Sequence, residues 1–307
     1  MLSSIAQETT IRYLKIYHFS QVHLIIEGIG IQKILSDEFI YETSEVLVNG
    51  ETKGNTCKKT CELDNEKNNI TLRFDQLIES CANMFLNIPN IKQIDLSEFD
   101  SSKVRNMSYM FYNCSNLEKI IFGNINTSLV KDMHYLFYSC SKLTSIDLSN
   151  FDTSSVTNME GMFIACHSLQ SINLSTFNTS SVETMRSLFN KCSNIISLDL
   201  SYFDFTRVTS FYLMFSNASS LRTINFGHSK AKSLLEIRSM FYECNNLTSV
   251  DLSNFNTSLV SDMKWVFFNC YSLKHIYFSE LFDTSNVIDM KSMFANCRTL
   301  ISLNLSS

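Results

Sequence analysis

One phenylalanine returns on a fixed count. Phe85, Phe111, Phe137, Phe163, Phe189, Phe215, Phe241, Phe267 and Phe294 follow one another at 26 residues, with a single step of 27 before the last. The extra residue sits in "SELFDTSNV" (279–287), ahead of its "DTS". A period of this size means a stacked array, in which each unit buries its apolar side on its neighbours.

Within one unit the apolar positions are Leu143, Ile146, Leu148, Phe151, Val156, Met159, Met162, Phe163 and Cys166. "LTSIDLS" alternates Ile146 and Leu148 with Asp147 and Ser149, the pattern of a short strand with one buried face. Val156, Met159, Met162/Phe163 and Cys166 step by three and four, the stripe of a short helix. Asp152, Thr153 and Ser154 between them offer N-caps. The expected fold is therefore an α/β solenoid of 26-residue strand-turn-helix coils with one parallel sheet face. It occupies residues 78–307, about nine coils with the last incomplete. One Pro and seven Gly in 307 residues leave the turns to Asn, Asp, Ser and Thr side chains.

Residues 1–77 precede the array and read as a β-rich N-terminal cap. "VHLIIEGIG" (22–30), "SEVLVNG" (44–50) and "NNITLRF" (68–74) alternate or end in Asn-Gly, and the polar stretch between the last two reads as a loop. The first twenty residues stand apart from these strands. At the other end "RTLISLNLSS" stops after a strand, so the expected last coil lacks its helix. An anchor in sequence beyond it, or self-association through this open end, would cover the exposed edge.

Strings such as "LTSIDLSNFDTSSVTNMEGMFIAC" (143–166) and "LTSVDLSNFNTSLVSDMKWVFFNC" (247–270) resemble the leucine-rich repeat of BspA-like surface proteins. The resemblance covers about residues 78–307. It implies a cell-surface or secreted interaction and adhesion protein with no catalytic residue in the repeat, although no signal peptide is visible; the alternative location is cytoplasmic. Two departures stand out. Ala218 takes the place of the repeated Cys, and "GHSKAKSLLEI" (227–237) replaces "SNFDTSSVTNM".

Seven of ten cysteines (Cys114, Cys140, Cys166, Cys192, Cys244, Cys270, Cys297) share one repeat position. With helical coils about 10 Å apart they lie beyond disulfide reach and form a row of buried thiols. Cys57 and Cys61 lie outside the repeats, while Cys81 aligns with the inward Met107. A disulfide from Cys81 to Cys57 or Cys61 would pin the cap over the array in an oxidising compartment; reduced thiols or a metal site are the alternatives.

The residue after the strand core reads Asp95, Ile121, Asp147, Asn173, Asp199, Asn225, Asp251 and Tyr277. Strands about 4.8 Å apart would repel like charges, and an uncharged residue between aspartates spaces the carboxylates about 10 Å apart. This row is the candidate ligand face, or simply a stabilising charge pattern. Ile121 and Tyr277 are its apolar interruptions. If they cluster with Lys230 and Lys232 a ligand site gains weight; if they scatter, a spacer does.

A net charge of −5 without a basic run argues against nucleic acid. No apolar run reaches the length of a membrane span. The six histidines fall at unrelated repeat positions, and no catalytic or cofactor motif is present, so neither enzyme activity nor a cofactor or metal is expected. The expected function is a non-enzymatic surface or secreted binding and adhesion module for a protein or glycan. The alternative is a structural spacer, coat component or intracellular scaffold.

Overall fold

A computed structural model describes residues 20–301 and 303. The expectations for the start of the chain and for its closing strand fall partly on residues 1–19, 302 and 304–307, outside the described residues.

The N-terminal segment alternates apolar and polar side chains and folds accordingly. It contains β1 (Ser20–Glu27), β2 (Gly30–Lys33), β3 (Glu45–Val48), β4 (Glu51–Thr52), β5 (Thr60–Leu63) and β6 (Lys67–Phe74). Asn49 and Gly50 join β3 to β4 with φ of 51° and 87°, the left-handed pair a two-residue hairpin requires. The polar stretch read as a loop holds β4 and β5, and β5 pairs with β2. Val22, Leu24 and Ile26 of β1 point inward, and β1 pairs antiparallel with β6 on one side and with β7 (Ile91–Asp95) on the other. β7 then runs parallel to β8 (Lys119–Ile121), so one six-stranded sheet, ordered β4-β3-β6-β1-β7-β8, carries the N-terminal strands into the first coils. Further along, β9 (Ser197–Asp199) pairs with β10 (Thr223–Asn225), and β11 (Ser249–Asp251) with β12 (His275–Tyr277), all in parallel register.

The helix expected in each coil does not form. Among the described residues the one helical piece is a single 3-10 turn, Gly54–Thr56, outside the repeats. The strand-turn-helix solenoid, with its α/β class and leucine-rich-repeat character, is overturned by a β-rich stack of coils. Backbone hydrogen bonding gives the reason. Over 159–166, the N–H groups of Met159, Gly161, Phe163 and Ala165 donate to Thr184, Arg186, Leu188 and Asn190 of the next coil, at 2.8–3.3 Å. Met162, Ile164 and Cys166 between them donate three residues back, to Met159, Gly161 and Phe163. Each coil is thus a run of tight turns whose alternate donors face a neighbour, and an α-helix would have used all of them internally. Apolar side chains stepping by three and four still reach the core, because each turn returns the chain to the same side.

Two residues per coil, four apart, take φ near 60°, among them Tyr109 and Asn113, Gly161 and Ala165, Trp265 and Asn269. Three side chains turn the corners. In one coil, Oδ1 of Asp147, Asp152 and Asn158 each accepts the amide two residues on, from Ser149, Ser154 and Glu160, at 3.0 Å. This is how a chain so poor in Gly and Pro turns so often.

The core runs unbroken from Val22 to Met293. Its spine is the anchor phenylalanines, whose rings stack from Phe85 to Phe294 at 5.3–6.1 Å. That is close to one strand spacing per coil and half the helix-packing distance expected. Beside it, Cys114 Sγ donates to the Phe85 carbonyl at 3.2 Å, and the same bond repeats down to Cys297 with Phe267. The seven thiols are free, and burial pushes Cys114 and Cys166 up to about 12. Buried Thr127, Thr153 and Thr179 bridge coils in a second file: Thr153 Oγ1 donates to the Asn178 carbonyl and accepts the Asn178 amide.

The expected cap disulfide is also corrected. Cys57 pairs with Cys61, whose Cα atoms are 4.6 Å apart, while Cys81 is buried and free, its amide held by the Asn106 carbonyl. The turn at Gly54–Thr56 ends at Cys57, four residues before its partner, and both cysteines are buried.

A candidate ligand groove on the turn face

The expected single sheet face is broken. Asp95, Ile121, Asp199, Asn225, Asp251 and Tyr277 end short strands in three separate sheets, while Asp147 and Asn173 lie outside any strand. Six of the eight residues have a local task. Asp95, Asp147, Asn173, Asp199, Asn225 and Asp251 each accept the backbone amide two residues on, at 2.9–3.1 Å. Hydrogen bonds from the Ser149 and Ser201 side chains and amides hold Asp147 and Asp199 below the usual carboxylate range. At one pair the uncharged neighbour contacts the aspartate, Asn225 Nδ2 donating to Asp199 Oδ1 at 3.0 Å. Ile121 and Tyr277 continue the backbone ladder, their carbonyls accepting the Leu96 and Leu252 amides at 2.8 Å. The four irregular residues scatter. Ile121 and Tyr277 are six repeats apart, about 29 Å at one strand spacing per coil. Lys230 and Lys232 flank Ala231, at a different corner of the coil from Tyr277.

Rings cluster instead where a helix was expected. Residues 26 apart form columns on this turn face. One column holds Tyr109, Tyr135, Gly161, Ser187, Leu213, Ser239 and Trp265, all with φ between 54° and 59°. A second, three residues on, holds Tyr112, Tyr138, Ile164, Asn190, Ser216, Tyr242 and Phe268. A left-handed backbone costs a non-glycine residue about 1–2 kcal/mol, so Tyr and Trp occupy the first column against local preference.

The first cluster is closed on itself. Tyr112 and Tyr138 stack at 4.3 Å, Tyr109 meets the His134 ring at 4.6 Å, and the Tyr135 hydroxyl donates to Glu160 at 3.0 Å. Tyr135 lies over Gly161, where an added Cβ would come within 2.3 Å of its ring. A charged row then leads on: Arg186 bonds Glu236 at 3.0 Å and covers the Tyr212 ring at 4.8 Å.

Beyond it the surface opens into a groove of about 540 Å³. Its floor is Ser216, Ser239 and Asn190, all at least nine-tenths buried. Tyr212, Tyr242, Trp265 and Phe268 stand around it, with Lys191 and Arg238 as its cations. Tyr242 stacks on Phe268 at 5.1 Å with ring planes 5° apart, so one of its faces is taken. On the other side the column continues with Ser216 and Asn190, not with a ring. Burial, ahead of the nearby Glu243, raises the Tyr242 phenol above its ordinary range. Arg238 lies 4.9 Å above Trp265. Asn190 Oδ1 and Arg238 Nε are buried and have no hydrogen-bond partner among the described residues. Its lining combines aromatic rings with hydroxyl, amide and cationic side chains.

Sequence reasoning passed over the groove because it took 156–166 and its copies for helix surface. Reading each position down the 26-residue register shows the signal: rings at 212, 242, 265 and 268 around serines at 216 and 239.

The repeat region matches the family model described as "Mycoplasma protein of unknown function, DUF285" three times, over residues 79–173, 146–249 and 223–307. The chain belongs to the DUF285 family. The three DUF285 matches together span the whole stack from Cys81 onward and leave the strands β1–β6 outside. No curated protein matches the chain, and no solved structure does. No helix among the described residues of this DUF285 protein is long and apolar enough to cross a membrane.

Proposed function

We propose that this DUF285 protein is a non-enzymatic binding module, located at the cell surface or secreted, that holds its ligand in the turn-face groove and not on the sheet face. The observation that carries the reading is the break in the aromatic columns at Ser216 and Ser239, which leaves a depression walled by Tyr212, Tyr242, Trp265 and Phe268. Concave sites with a few polar groups among rings are the usual form of ligand sites. The Cys57–Cys61 disulfide supports an oxidising compartment. The spacer alternative draws support from the sheet face, where the irregular residues scatter.

The test compares binding of the full chain to arrayed oligosaccharides and arrayed peptides with that of two variants. Tyr242→Ser copies Ser216 of its own column, and Tyr277→Ser alters the sheet face. Binding lost with Tyr242→Ser and kept with Tyr277→Ser is the expected result. Binding lost only with Tyr277→Ser, or none by the unaltered chain, overturns the reading.

A further inference from the structure

We infer that the groove takes the pyranose ring of a neutral glycan, stacked on the free face of Tyr242 as the missing rung of its column; the inference rests on the binding role proposed above. Three observations converge on this. First, Tyr242 has one face on Phe268, the next position of its column is Ser216, which carries no ring, and both residues line the groove. The C–H face of a sugar packs on such a surface, while the Arg238 guanidinium already covers Trp265. Second, the two unpartnered atoms are complementary: Asn190 Oδ1 needs a donor and Arg238 Nε needs an acceptor. A sugar hydroxyl does both. A proline-rich segment brings mostly carbonyl acceptors and an aromatic side chain brings little of either, so each leaves buried polar groups unpaired. Third, no carboxylate lines the groove, while Lys191 and Arg238 do, and the carboxylates around it are engaged. Glu243 accepts from Asn269 Nδ2 at 3.4 Å and from the Tyr242 phenol, and Glu236 pairs with Arg186 at 3.0 Å, which disfavours a cationic peptide.

The sole tryptophan of the chain, Trp265, reports on this groove. The full chain is titrated with neutral trisaccharides of glucose, galactose and N-acetylglucosamine, and separately with a proline-rich peptide and a tyrosine-containing peptide, while Trp265 emission is followed. A saturable change with at least one trisaccharide is expected. It should weaken about tenfold in Tyr242→Ser, the scale of one lost ring contact, and persist in Tyr242→Phe, which keeps the face. Asn190→Leu should abolish it. An unfolding midpoint of Tyr242→Ser close to that of the unaltered chain separates lost binding from lost structure. Saturation by a peptide and not by the sugars overturns the glycan inference and leaves the binding role standing. A sugar response indifferent to Tyr242→Ser overturns the inference as well, and no response to any probe overturns both.

Discussion

The ring of Phe137 lies 5.5 Å from that of Phe163 with planes 12° apart, although a full repeat separates them in the chain. Both are essentially closed to solvent. That distance fixes the pitch of the whole molecule, because side chains in register cannot stack this closely unless their backbones lie one strand spacing apart.

Interior rungs of this spine should be the costliest to remove. Phe189→Ala deletes a buried ring stacked on Phe163 and Phe215, and is expected to cost about 3–5 kcal/mol by urea unfolding. Phe294→Ala, half-buried with Phe267 as its stacking partner, should cost clearly less. Equal costs would mean that the rings do not act as a stack.

Thr153→Val keeps the shape of a buried side chain and removes a hydroxyl that donates to the Asn178 carbonyl and accepts the Asn178 amide. Leaving both groups unpaired is expected to cost about 1–3 kcal/mol. Hydrogen exchange of the Asn178 amide should speed up relative to amides two coils away.

Gly161→Ala places a methyl against the Tyr135 ring in a backbone with φ of 59°. The left-handed backbone alone is tolerated at this column, since Ser187 and Tyr135 share it. The clash is therefore the larger part, and Tyr135→Ser should recover much of the lost stability in a double-mutant cycle. Strict additivity would show that the ring does not rest on Gly161.

Thiol chemistry should separate the cysteines by position. Buried thiols with raised pKa present little reactive thiolate near neutral pH. In native alkylation with mass mapping, half-buried Cys297, pushed up to about 11, should label before the other six ladder cysteines. Without reductant, Cys57 and Cys61 should be recovered as a pair and Cys81 as a free thiol.

The same shifts set a pH window. A thiol raised in the folded state keeps its proton longer there, so its stabilising contribution is whole below the ordinary value of 9.0 and is lost as pH rises through the folded value. Urea midpoints should fall above pH 9, and less steeply in Cys166→Ala. At the acid end the sign reverses. Asp152 and Asp204 are lowered by hydrogen bonds from the side chains and amides of Ser154 and Thr206, so their contribution is present above the ordinary 3.8 and lost as pH falls below it.

Much of the candidate site was illegible for a local reason. A step of three and four is the signature of a helix, yet Met159, Met162, Phe163 and Cys166 satisfy it equally as the inward corners of tight turns. One clue was available. Asn87, Asn113, Asn217, Asn269 and Asn296 recur at one repeat position, and Asn tolerates the left-handed backbone that all five adopt. The sheet row misled for a related reason: an outward Asp looks the same in sequence whether it waits for a ligand or, like Asp147, caps its own turn.

The sequence by itself determined the period, the stacking of repeats, the inward residues and the polar corners, because each follows from side-chain chemistry repeated at one spacing. Only the tertiary structure decided the partner of each backbone N–H. Every residue but proline carries the same donor, and nothing in the side chains of Gly161 or Phe163 states that it reaches the next coil. Once those donors turned outward the coils closed to one strand spacing, the helices vanished, and side chains 26 residues apart became the walls of one groove.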